Sequence, residues 1–187
     1  SFVAGGSGGI GSLRWGFLRD PGHLLGMEVV PLRPDAQRHQ IGEVDAEALN
    51  HAYGTNGIIT ALRLATAPVV NWQQVSVDCE RWEQAIELMH RVASSALDLH
   101  LGTLLEQPLL SRMPSWGGPA ESAHRLLLLV APDGLTSLQR IVQSAGATLR
   151  DLGPEDLSGG NGLRELSWNH TTLHVRASEP GWTYLQM

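Results

Sequence analysis

The chain has a single cysteine, Cys79, among 187 residues. An internal disulfide is therefore excluded, and a reducing, cytoplasmic setting is expected. Positive charge is also scarce: thirteen basic residues stand against nineteen acidic ones, a net charge of −6. Nucleic acids and anionic membrane surfaces are bound through clustered positive charge, so neither is expected as a partner. Long apolar runs are missing too. The longest, Leu126–Ala131, has the length of a strand, not of a membrane span. What remains is a chain with 42% hydrophobic residues and a mean hydropathy of −0.08, enough to bury one large core or two small ones.

Glycine is what the sequence has in excess at its start. Gly5, Gly6, Gly8, Gly9, Gly11, Gly16, Gly22 and Gly26 fall within the first 26 residues and predict a loop system without helix. Ser1-Phe2-Val3-Ala4 is neither an initiator methionine nor a charged leader, so upstream sequence is expected to be missing. Tyr184–Met187 likewise reads as a strand cut off as it begins.

Further along, Met27–Val30 predicts a buried strand stopped by Pro31 and Pro34, with a polar hairpin tip over Asp35–Glu43. Asp45 is placed to cap a short helix running to Ala52. Gly54-Thr55-Asn56-Gly57 breaks that helix, and Ile58–Ala65 is a second strand. After Pro68 two strand–helix–strand passes follow. Gln74–Cys79, the amphipathic segment Arg81–Ala96 and Leu97–Leu105 make the first, with Leu97, Leu99 and Leu101 pointing inward. Arg125–Val130, a helix headed by Asp133 and ended by Gly146, and Ala147–Leu152 make the second. This is the split βαβ pattern of a ferredoxin-like sandwich. Leu163, Leu166, His170 and Leu173 predict one last helix.

The glycine loop fits two short motifs. Gly6-Ser7-Gly8-Gly9-Ile10-Gly11 matches the dinucleotide fingerprint, which needs a strand before it, a helix after it and an acidic residue ending the next strand. Gly5-Gly6-Ser7-Gly8-Gly9 matches a nucleophile elbow with the same structural needs. Arg14-Trp15-Gly16 interrupts the required helix in both cases, and Glu28 stands too early in its strand. A purely structural glycine loop is the further alternative.

A longer match is more specific. Phe2-Val3-Ala4-Gly5-Gly6-Ser7-Gly8-Gly9, Arg14-Trp15-Gly16, Leu18-Arg19-Asp20 and Leu25-Gly26-Met27-Glu28-Val29-Val30 follow one another in order. Ala52-Tyr53-Gly54-Thr55-Asn56-Gly57-Ile58-Ile59-Thr60 comes next. Together they resemble the flavin-domain core of the FAD-linked oxidases of the glycolate-oxidase and vanillyl-alcohol-oxidase type. Gly6 stands where that family often has asparagine, and Trp15 where it has tyrosine.

The resemblance implies an α+β chain with two parts: the end of a vanillyl-alcohol-oxidase-type FAD-binding domain over residues 1–67, then a ferredoxin-like antiparallel cap over 68–187. It implies an FAD-dependent oxidoreductase that oxidises a small alcohol or 2-hydroxy acid by hydride transfer to the flavin. Gly5, Gly6, Ser7, Gly8 and Gly16 would line the flavin, Gly57 would bring backbone against it, and Ile58 and Ile59 would wall its ring. Partners would be a small-molecule substrate, and a second copy or other oxidase subunits. Because the family's first phosphate loop lies upstream of Ser1, the chain alone is expected not to retain FAD.

The alternatives are a nicotinamide-dependent Rossmann dehydrogenase and a non-catalytic ferredoxin-like binding module. His170 and His174, four residues apart on one face, are candidates for substrate-facing groups, His170 being the catalytic candidate, or for histidines with a structural role. No third ligand is spaced to make them a metal site. Cys79 is expected to be a buried small hydrophobe, and the six tryptophans to serve packing.

Overall fold

The computed structural model describes residues 2–9, 11–112, 123–155, 163–166 and 170–181, without the side chains of Glu165, His170, Thr171, His174 and Ser178. The chain divides into two compact units, Ser1–Val69 and Val70–Met187.

The first unit is built on a three-stranded antiparallel sheet. Its central strand β1 (Leu24–Val30) is flanked by β2 (His39–Gly42) and β3 (Ile58–Leu64). Leu24, Met27 and Val29 of β1 pack with Val3 and Ala46 into a small core, with Ile41, Leu49 and Ile59 at its margin. Glu28, between the two core residues, turns the other way. Its carboxylate accepts hydrogen bonds from Thr60 on β3 at 2.6 Å and from Gln40 on β2 at 2.7 Å. That carboxylate is thus a cross-strand tie, not the ribose-binding acid of a dinucleotide fold. All strand pairings in both sheets are antiparallel, which removes the Rossmann alternative.

Three details differ from the sequence expectations. The glycine segment holds two single-turn helices, α1 (Phe2–Gly5) and α2 (Ser12–Trp15), where loop alone was expected. The supposed hairpin tip contains strand β2. Helix α3 spans Glu43–Leu49 and is preceded by Gly42, so Asp45 sits in its first turn instead of capping it. The hydrogen bonds of β1 to β2 outweigh the weak local propensity of a polar segment.

The second unit holds β4 (Gln73–Cys79), α4 (Trp82–Ala93), β5 (Leu99–Leu105), α5 (Gln107–Leu110), β6 (His124–Val130), α6 (Leu135–Ser144) and β7 (Thr148–Pro154). The strand order is β5-β6-β4-β7, all antiparallel. Val75, Val77, Cys79, Leu126, Leu128 and Val130 pack against Ala85, Leu88 and Val92 of α4 and Leu138 and Val142 of α6. Gly146, at φ +66°, ends α6 in the left-handed conformation that glycine adopts without strain.

The opposite face of this sheet is also covered. Leu127 and Leu129 on β6 are buried there, and the turn holding the buried Leu163 and Leu166 lies against β6. A register shift between Leu99 and Leu101 on β5 changes the inward alternation. Leu97 and Leu99 pack on the helix side, whereas Leu101 is buried outside that core. Leu163–Leu166 is a 3-10 turn and His170–Ser178 an α-helix, where α-helix was expected from Leu163 through Leu173; residues 167–169 lie outside the described residues. Tyr184–Met187 lies outside the described residues. No helix among the described residues is long and apolar enough to cross a membrane.

Cys79 is 1% exposed. Burial, and then the neighbouring charge of Asp78, push its thiol up to about 11 from 9.0. The native thiol is therefore expected to resist Ellman's reagent at pH 8 and to react in urea; rapid labelling of the folded protein would contradict this. The sign of the linkage follows. The folded chain holds the proton more tightly, so this residue's contribution to stability is full below about 9 and is lost as pH rises toward about 11.

Candidate functional site

The glycine segment and the turn before β3 are brought together by backbone hydrogen bonds. His51 N–H donates to the carbonyl of Val3 at 2.9 Å, and Tyr53 N–H to that of Ala4 at 2.7 Å. His51 and Tyr53 both take positive φ to do so, at 65° and 51°. Gly6 accommodates the His51 ring, since a Cβ at Gly6 would lie 2.4 Å from its Cγ. At the other end of β3, Ala65 N–H donates to the carbonyl of His23 at 2.9 Å.

Between these ties lies a cleft of about 900 Å³ within the first unit, in the range of small-molecule sites. Phe2, Trp15, Leu18, Ile59, Leu62 and Leu64 supply most of its apolar lining. Trp15, Phe2, Leu62 and Leu64 remain 43–61% exposed, a concentration of apolar surface that marks binding sites more often than bare surface. The guanidinium of Arg14 lies 4.8 Å from the centre of the Trp15 ring. Trp15 is thus a cleft residue and not a core one.

Of the residues singled out in the sequence, Ser7, Gly16, Gly57 and Ile59 line this cleft. Gly5, Gly6, Gly8 and Ile58 do not. Ile59 lines the cleft, whereas Ile58, its neighbour on the strand, faces the other way and is 59% exposed. Gly16 and Gly57 also have reasons internal to the protein. A Cβ at Gly16 would come 2.6 Å from Oδ2 of Asp20, and one at Gly57 would come 2.4 Å from the carbonyl oxygen of Val30. His170 opens the last helix, but its side chain lies outside the described residues, as does that of His174. Among the described residues no group of three or more His, Cys, Asp or Glu could hold a metal ion.

His23 was not singled out in the sequence, and it is the one titratable side chain lining the cleft among the described residues. It follows a tight turn in which Phe17 N–H donates to Asp20 Oδ2 at 2.7 Å. The His23 ring closes that turn, with Nδ1 2.5 Å from the Phe17 carbonyl oxygen. The only sequence signal was a histidine placed directly before a strand, beside the Arg19-Asp20 pair.

The donor set suits an uncharged ring system better than a phosphate. The cleft offers glycine backbone, apolar walls, the hydroxyls of Ser7, Ser12 and Thr66, the Trp15 indole and an imidazole, with no arginine among its lining residues. Ser12 spends its hydroxyl on the Gly9 carbonyl at 2.5 Å. At Gly11 a Cβ would meet nothing within 4 Å, so the loop there leaves open space. A flavin ring fits such a lining. The pyrophosphate of FAD would have backbone N–H groups but no side-chain cation within the cleft.

The architecture is α+β, of antiparallel sheets and helices. Among solved structures, the chain is similar to alkyldihydroxyacetonephosphate synthase in its P1 crystal form, at 15% identity and a TM-score of 0.64, covering 93% of this chain and 36% of that one. The P212121 form gives 15% identity and a TM-score of 0.59, over 89% and 35% respectively. The chain thus spans about a third of the length of the structures it matches, and at this identity the likeness concerns the fold. No family model and no curated protein matches the sequence.

Proposed function

We propose that the chain is part of an FAD-dependent oxidoreductase, with the flavin ring in the cleft of the first unit. One observation carries this reading: the glycine segment and the start of β3 at Gly57 and Ile59, distant in sequence, line a single apolar cleft. The likeness to alkyldihydroxyacetonephosphate synthase, a member of the broader FAD-linked oxidase superfamily, supports it. Gly9, Gly16 and Gly57 would let the ring approach backbone, and Ile59, Leu62 and Leu64 would exclude water from it. The bound flavin would supply the hydride-accepting chemistry.

Residues 70–187 would be the cap that shapes the substrate pocket, for a small alcohol or 2-hydroxy acid. Their β-α-β-β-α-β succession and the order β5-β6-β4-β7 support a ferredoxin-like cap of the glycolate-oxidase kind. A buried, unpaired Cys79 supports a reducing, cytoplasmic setting.

The test is a titration of the folded chain with FAD, lumiflavin and NAD+, followed by flavin absorbance and fluorescence. The purified chain is expected to carry less than stoichiometric FAD, yet to bind added flavin saturably and NAD+ not at all. Absence of saturable flavin binding, or binding of NAD+ alone, would overturn the proposal.

A further inference from the structure

We infer that His23 is the polar recognition point of the cleft, accepting at Nε2 a hydrogen bond from a ring N–H of the bound molecule. The inference rests on the flavin proposal, and in an oxidised isoalloxazine the donor is N3–H, the ring's sole N–H group.

The tautomer of His23 follows from its partner. A carbonyl oxygen only accepts, so the Phe17 carbonyl, 2.5 Å from Nδ1, requires the proton on Nδ1. In the neutral ring the lone pair is then on Nε2. The orientation is held from both sides. Asp20 fixes Phe17 through its N–H, and the His23 carbonyl accepts from Ala65 N–H at the end of β3. Gly22 N–H donates to Glu43 Oε1 at 2.9 Å, pinning the preceding residue to α3. The turn from Phe17 to His23 therefore presents one imidazole, in one tautomer, to a lining that is otherwise mostly apolar.

In such surroundings an unpaired N–H on the ligand is costly, whereas a matched acceptor removes that cost. A ligand able to place N–H against His23 is favoured over the same ligand with that nitrogen methylated. Asp20 is a positioning residue, acting through Phe17.

Lumiflavin and 3-methyllumiflavin isolate the point, because they lack ribityl hydroxyls and differ only at N3. Binding to the wild-type chain is measured by fluorescence quenching, alongside His23→Asn and His23→Gln. Asparagine keeps a donor for the Phe17 carbonyl but has no group at the Nε2 position. Glutamine places an amide oxygen near that position.

The wild type is expected to prefer lumiflavin by roughly tenfold. His23→Asn should abolish the preference, and His23→Gln should retain part of it. Equal binding of the two ligands by the wild type would overturn the role of His23 while leaving the flavin proposal intact. So would an unchanged preference in a folded His23→Asn variant. Binding of neither ligand by folded wild type would overturn both.

Discussion

Asp78→Ala is expected to lower the stability of the second unit by about 3–5 kcal/mol, the cost of removing one partner of a buried ion pair. Asp78 on β4 lies across from Arg125 on β6, whose side chain is 2% exposed. The pair is bidentate: Nε meets Oδ1 at 2.6 Å and a terminal nitrogen meets Oδ2 at 3.1 Å. Arg150 on β7 adds a second bond to Oδ2 at 2.8 Å. One carboxylate therefore faces two guanidiniums across three adjacent strands, and alanine would take that carboxylate away from the buried Arg125. Arg150, whose side chain is 36% exposed, can turn toward water and should contribute far less. Urea unfolding of wild type, Asp78→Ala and Asp78→Asn gives the comparison, with hydrogen exchange on β4 and β6 locating the loss. A change below about 1 kcal/mol in Asp78→Ala would mean that water or rearrangement compensates the arginine. Replacing both partners by apolar residues of similar size should cost much less than either single change.

Gly57→Val is expected to destabilise the first unit before any ligand is considered. Gly57 has φ +144°, outside the range that residues with a Cβ adopt readily. The added Cβ would also lie 2.4 Å from the Val30 carbonyl oxygen and 2.9 Å from Cγ1 of Val29. These are backbone and core atoms at the paired ends of β1 and β3, where Val30 opposes Ile58, so neither yields cheaply. Backbone strain alone costs on the order of 1–3 kcal/mol, and displaced packing adds to it. The thermal midpoint of the ligand-free chain should fall and exchange on β1 and β3 should quicken. An unchanged ligand-free midpoint would show that the turn relaxes away from β1. Because Gly57 also lines the cleft, flavin affinity should be compared with ligand-free stability in the same variant. Weakened flavin binding beyond the stability loss is the signature of direct approach to the ligand.

The clearest parts of the fold were legible from periodicity. The three- and four-residue spacing of apolar side chains located α4 and α6, which bury Ala85, Leu88 and Val92 and Leu138 and Val142. The run Leu126–Val130 announced a strand buried on both faces, and β6 is one. Local chemistry was less informative where pairing decides. His39–Gly42 is polar and mostly exposed, so nothing in it marks a strand until β1 supplies partners. Of the candidate site, glycine density marked segments that border the cleft but not which of their glycines line it.

The sequence by itself determined the antiparallel double pass after Pro68 and the burial of Cys79, because these depend on side-chain period and burial along neighbouring residues. Only the tertiary structure decided the rest. The shift at His100 sends Leu101 away from the helix-side core, and Glu28 becomes a tie between strands. Gly57 is required by Val30, and His23 stands in the cleft with its tautomer set by Phe17. Each of these depends on atoms brought together by strand register or by a folded turn, and that geometry is not contained in the spacing of residue types.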